Sequence, residues 1–130
     1  MIWLYRNLYR KEKGFTLVEL MIVIIILAIL TGIAIPSYMA LRNRARVAAA
    51  QSEMKNIATA IEMYNADKDY YPATTFAAME TALEGGDYMN PVPTTDPWGA
   101  AYTYVLAAGT YTLTCTGADP DIIIINGQLQ

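Results

Sequence analysis

The sequence predicts an α+β fold: one long N-terminal helix, membrane-spanning in its first half and amphipathic in its second, packed on a small antiparallel C-terminal sheet. Three observations predict it. Residues 15–35 form an apolar run with a single charge inside it. Residues 47–64 carry apolar side chains at intervals of three and four, the period of one helix face. Residues 102–116 alternate larger apolar side chains with small or polar ones on either side of a glycine turn, the period of half-buried strands. At 130 residues the chain has the length of one domain, and part of it is an apolar segment that cannot also fill a soluble core, so the globular part must be small.

From Phe15 to Ile35 the only charge is Glu19, and Thr16, Thr31 and Gly32 are the only other residues that are not hydrophobic. A helix of that length spans roughly 31 Å, close to the ~30 Å hydrocarbon core of a bilayer. A single transmembrane helix or signal anchor is one reading. A cleavable secretory signal, with "GIA" at 32–34 as the small-residue site, is another. Cleavage there would discard Glu19 and leave Pro36 near the new terminus. A carboxylate at the centre of a membrane span costs about 2.5–3.5 kcal/mol, less where it can reach the interface. Glu19 sits near one end, so it either snorkels or meets a cation brought by another chain.

Pro36 marks the end of the apolar run, where a proline removes a hydrogen bond and is expected to kink the helix. The pattern resumes with Val47, Ala50, Met54, Ile57, Ile61 and Tyr64, while Gln51, Glu53, Lys55 and Glu62 fall off that stripe. A continuous helix from Phe15 to Tyr64 would measure roughly 75 Å, naked in its first half and needing a domain to cover its second. Arg42, Arg44 and Arg46 follow the apolar run and read as a solvated face or as an anchor at lipid headgroups.

Downstream, a short helix is expected from Thr75 to Glu84, ended by Gly85 and Gly86. Prolines 91, 93 and 97 make the next stretch irregular, and "DPWG" at 96–99 fits a type I turn with Trp98 anchoring it on the domain. Tyr102, Tyr104 and Leu106 then share one strand face, and Tyr111, Leu113 and Cys115 share another after the "AAGT" turn. "DIIII" at 121–125 reads as a third strand, buried on both faces or covered by assembly.

The inventory of residue types excludes several functions. Histidine is absent, which removes His-based catalysis and the usual zinc sets. The two serines, Ser37 and Ser52, both fall on the long helix, and no catalytic constellation or phosphate-binding glycine loop is present, so the chain does not read as an enzyme. Cys115 is the single cysteine; it cannot form an internal disulfide, and its place on an apolar strand face reads as a packed thiol. The first 14 residues carry Arg6, Arg10, Lys11 and Lys13 against Glu12, and the remainder is acidic, which argues against nucleic acid as the main partner.

"KGFTLVEL", the Ile/Leu/Val/Ala run and "IAIPSY" together resemble the class III prepilin signal shared by type IV pilins and the pseudopilins of type II secretion. The match is dense over residues 11–38. The resemblance implies a leader, residues 1–14, cut by a prepilin peptidase between Gly14 and Phe15, with N-methylation of the new Phe15 amine and Glu19 as the fifth residue of the mature chain. It further implies a transmembrane and assembly helix over 15–35, the amphipathic half of that helix over 36–66, and a globular head over 67–130 with about three antiparallel strands. Glu19 would meet the terminal amine of a neighbouring subunit. An unpaired charge is strongly penalised in low dielectric, so such a pair sets the register of assembly.

The same resemblance implies a structural subunit that polymerises with itself into a helical homopolymer. Its partners would be the peptidase, an inner-membrane assembly platform and an assembly ATPase. It would be stored as a single-pass precursor in the bacterial inner membrane and then moved into a periplasmic or extracellular filament. "DPWGAAYTY" and "GADPDI" are most similar to the tail of the major pseudopilin of type II secretion. A surface type IV pilin is the alternative, and a membrane-anchored ligand-binding domain, whose leader would not be cut after Gly14, a further one. No cofactor is expected from the residues themselves. In those pseudopilins two aspartates of the last loop help bind calcium, and the matching positions are Asp119 and Asp121. The family loop is longer, with glycines between the acids, whereas only Pro120 separates them here; a proline-stiffened turn without metal is the other reading.

Overall fold

The computed structural model describes residues 14–130. Most of the predicted leader, residues 1–13, lies outside the described residues. The described chain divides into two units, one reaching Ala40 and the other running from Leu41 to Gln130.

Helix α1 runs Leu17–Lys68 and holds Pro36 inside it as one uninterrupted element. The amphipathic stretch beyond Pro36 thus belongs to the same helix as the apolar run before it. Ser37 donates to the Ile33 carbonyl at 3.2 Å and Thr31 to Leu27 at 2.7 Å, local bonds of hydroxyls to backbone that helices tolerate. In the first unit every helical residue is exposed, and among them are Leu17, Val18, Ile22, Ile24, Leu27, Ile29, Ile33 and Ile35. This part of α1 is long and apolar enough to cross a membrane.

In the second unit α1 buries Ala50, Met54, Ile57, Ala58, Ala60 and Ile61, with Val47 and Tyr64 packed at the ends of the stripe. Helix α2, Phe76–Gly85, is capped by Thr75, whose hydroxyl accepts the Ala78 N–H at 3.3 Å, and it buries Met79 and Leu83. The sheet has four strands in the order β1 (Thr103–Ala107), β2 (Thr110–Cys115), β3 (Ile122–Ile125), β4 (Gln128–Leu129), all antiparallel neighbours. The expectation of about three strands is corrected: the Asn126-Gly127 turn, with both residues at positive φ, returns the chain for one more short strand. Tyr104, Tyr111, Leu113, Cys115, Ile122 and Ile124 point into the core, while Ile123 and Ile125 are half-exposed on the opposite face.

Tyrosines join helix and sheet. Tyr102 donates its hydroxyl to Glu53 at 2.7 Å, and burial, then Glu53, pushes that phenol well above its ordinary pKa, so it remains the donor. Tyr104 stacks on Tyr111 with ring centroids 5.9 Å apart, Tyr71 meets the Tyr111 ring edge-on at 5.2 Å, and Tyr104 donates to the Pro72 carbonyl.

Candidate functional site

Two places carry polar groups that chain connectivity alone does not require. One is the start of α1. Thr16 is the N-cap and Glu19 the third helical position, the spacing at which cap and acid satisfy one another's orphan donors. Glu19 Oε2 accepts the Thr16 N–H at 2.7 Å and the Thr16 hydroxyl at 2.8 Å, and Glu19 N–H donates back to Thr16 Oγ1 at 3.2 Å. The Thr16 carbonyl takes the first helical bond, from Leu20. Sequence reasoning singled out Glu19 and missed Thr16. The signal was there, since Thr-x-x-Glu ahead of an apolar run is a capping-box pattern.

The second carboxylate oxygen of Glu19, Oε1, accepts no hydrogen bond among the described residues. One oxygen is thus committed to its own chain and one is open to a donor from outside. Phe15, immediately before the cap, is 82% exposed, and the surface around Glu19 is apolar. Gly14 has open space where a side chain would be, so the local structure would accept alanine. Arg42 and Arg44 are exposed and Arg46 half-buried; among the described residues the only ion pair is Lys68 with Asp67, so these three cations have no carboxylate partner.

The other place is the DPWG turn. Gly99 N–H closes it onto the Asp96 carbonyl at 2.9 Å, and Thr95 and Ala101 pair across its base. Trp98 packs half-buried and donates its indole N–H to Asn43 on α1. Asp96 itself is buried, at 5% exposure. Its Oδ1 accepts the N–H groups of Trp98 and Ala100, each at 2.9 Å; its Oδ2 accepts the Cys115 thiol at 3.2 Å and the Gly117 N–H at 2.9 Å. Burial opposes its ionisation, but the Cys115 thiol and the backbone donors of Ala100, Trp98 and Gly117 outweigh burial and hold the carboxyl below the usual range. Burial, and then Asp96, pushes the Cys115 thiol up, which makes it a donor and not a nucleophile. The sequence reading foresaw only the turn's local bond and not that Asp96 reaches the end of β2.

Asp119 and Asp121 are both exposed, on either side of Pro120. Among the described residues no three His, Cys, Asp or Glu side chains come together to hold a metal ion. Calcium takes six to eight oxygens. The nearby buried carboxylate, Asp96, cannot join Asp119 and Asp121 around one, because four donors already fill its roughly four acceptor sites. The donor set does not fit calcium.

Residues 9–35 match the model of the prokaryotic N-terminal methylation motif, and residues 37–122 match that of the type II secretion system (T2SS), protein G. The type II secretion system core protein G of Pseudomonas aeruginosa is 36% identical, the alignment covering 85% of this chain and 86% of the relative. The core protein G of Escherichia coli is 31% identical over 86% of each chain, and that of Vibrio cholerae 33% identical over 85% and 83%. A fimbrial protein, EcpC of Eikenella corrodens, is 40% identical over 65% of this chain and 56% of its own. No solved structure matches.

Proposed function

The chain belongs to the type II secretion system protein G family, that of the major pseudopilin, and from this membership we propose how it is processed, stored and polymerised. It is a structural subunit of a type IV-like filament and not an enzyme. The precursor is held in a membrane by the first part of α1. A prepilin peptidase cuts between Gly14 and Phe15 and methylates the Phe15 amine, and an inner-membrane platform with its ATPase extracts the subunit into a pseudopilus in the periplasm.

The observation that carries this reading is the fully exposed apolar surface of residues 15–35 with one acid inside it. A fully buried Leu, Ile or Val is worth about 1.5–3 kcal/mol, so a surface of this size cannot stand in water. Lipid covers it first, and like helices of other subunits replace lipid in the filament. Such contacts are heterologous and do not close, so they propagate. Glu19 then selects the register: its open Oε1 receives the terminal ammonium of a neighbouring subunit, and a misplaced subunit leaves a charge unpaired in low dielectric.

Mass spectrometry of the mature subunit tests the processing. The expected first residue is methylated Phe15; a chain that begins upstream of Phe15 in the assembled filament sinks the reading. The surface-pilus reading draws on the shared prepilin signal and on a fimbrial relative that matches over little more than half of its own length.

A further inference from the structure

We propose that this chain closes its last loop with its own buried carboxylate, Asp96, in place of a bound divalent cation, so that its folding is indifferent to calcium. The proposal concerns the folded head and does not depend on how the subunit assembles.

The last loop leaves β2 at Cys115 and must turn back into β3 at Ile122. A turn this short strands backbone N–H groups near the core, where an unpaired one is costly. Asp96 supplies the acceptor. Its Oδ2 takes the Gly117 N–H and the Cys115 thiol, while its Oδ1 takes the Trp98 and Ala100 N–H groups of its own turn. One carboxylate thereby ties the DPWG turn to the start of the last loop across 19 and 21 residues of sequence. Hydrogen bonds to an ionised acceptor are the strong kind.

Gly117 bears independent witness to this closure. A Cβ there would collide with the Asp96 carboxylate, lying 2.8 Å from its Cγ and Oδ1 and nearer still to Oδ2. Its φ is not in the left-handed region, so glycine is required by the close approach of the carboxylate and not by backbone conformation. Beyond Gly117 the loop buries Ala118 and turns Asp119 and Asp121 outward. The acids that would face a cation are in solvent, and the acid that faces the loop is saturated with donors.

The test uses the full chain in detergent micelles, melted in excess chelator and in calcium at about 1 mM, the weak end of known protein sites. Superimposable melting curves are expected, and the Asp119→Asn/Asp121→Asn double variant should melt like the parent in both. Asp96→Asn should lower Tm by roughly 8 °C or more, because whichever way its amide is oriented an NH2 group faces N–H donors. Gly117→Ala should do the same through steric overlap. A calcium-induced rise of several degrees in the parent that the double variant abolishes overturns the proposal, as does an Asp96→Asn chain that melts like the parent. If neither Asp96→Asn nor Gly117→Ala folds, the parent and the double variant decide the question on their own.

Discussion

Thr16 and Glu19 hold one another across the first turn of α1, Thr16 giving Oε2 both its N–H and its hydroxyl and taking the Glu19 N–H in return. The acid that lipid should reject is therefore half-satisfied before any neighbour arrives. Removing the side chain separates insertion from assembly. Glu19→Ala should enter the membrane as well as the parent, because it deletes a charge that costs about 2.5–3.5 kcal/mol at mid-membrane and less near the interface. Its filament yield should fall by about tenfold or more, since the lost pair is worth at least ~1.4 kcal/mol. Membrane fractionation against sheared-filament assay checks the split, and parental yields from Glu19→Ala refute the pairing.

Thr16→Ala probes the cap alone. It removes the hydroxyl bond to Glu19 and the acceptor for the Glu19 N–H, and loss of a cap of this type costs about 1 kcal/mol. Thr16→Ser keeps both groups. Amide exchange over the first turn of the micelle-bound chain should accelerate roughly fivefold in Thr16→Ala and stay parental in Thr16→Ser. Equal protection in the two variants would mean that the cap does not hold the turn.

Gly14→Ala separates what the fold needs from what the processing enzyme needs. Nothing in the structure occupies the space of the added methyl, so thermal stability should not change. Cleavage should be lost, because a peptidase that grips extended backbone on both sides of the scissile bond has least room for a side chain there. Intact mass reads out the cleavage and a thermal melt the fold: an uncut precursor of parental Tm is expected, and a normally trimmed chain contradicts the assignment of the cut.

Acid should unfold the head through Asp96. Its pKa is depressed in the folded state, so its contribution is fully present above its unfolded value, about 4, and is lost as pH falls through the folded value. Tm should hold through neutral pH and drop below about pH 4. The difference between the parent and Asp96→Asn should shrink over the same interval, because protonation does to the parent what the amide does to the variant. A gap that stays constant down to full protonation would assign the loss to other carboxylates.

How much of this was legible in the sequence follows from the range of each interaction. The α1 stripe and the Tyr104 and Tyr111 faces are local periodicities, and the structure buries them as read. Strand β4 escaped because only two residues pair, yet Asn126-Gly127 announced the turn that makes it. Thr16 was readable as a cap but was absorbed into a run judged by hydrophobicity alone. Asp96 was legible only as far as its own turn. Its bonds to Cys115 and Gly117 depend on tertiary placement, which no spacing rule reports. The acids at 119 and 121 are singled out by the resemblance of "GADPDI" to the last loop of the major pseudopilin; the structure leaves them in solvent and uses the one that sequence places far away.

The β1–β2 hairpin offers a change that should stabilise. Its two-residue turn places Ala108 at φ 50° and Gly109 at φ 78°, both in the left-handed region, and the mirror-type turn that fits the strand twist demands this of both positions. For alanine that conformation crowds Cβ against the following carbonyl and costs about 1 kcal/mol or more; glycine occupies it without the clash. Ala108 is exposed, so Ala108→Gly removes no packing. Greater freedom of glycine in the unfolded chain offsets part of the gain, leaving a net of about 0.5 kcal/mol, which raises Tm by roughly 2–4 °C in a head of this size. Val105 and Thr112, paired across the hairpin, keep their register in the variant because the turn length is unchanged. A Tm that falls on Ala108→Gly would show that the turn relaxes out of the left-handed pair in solution.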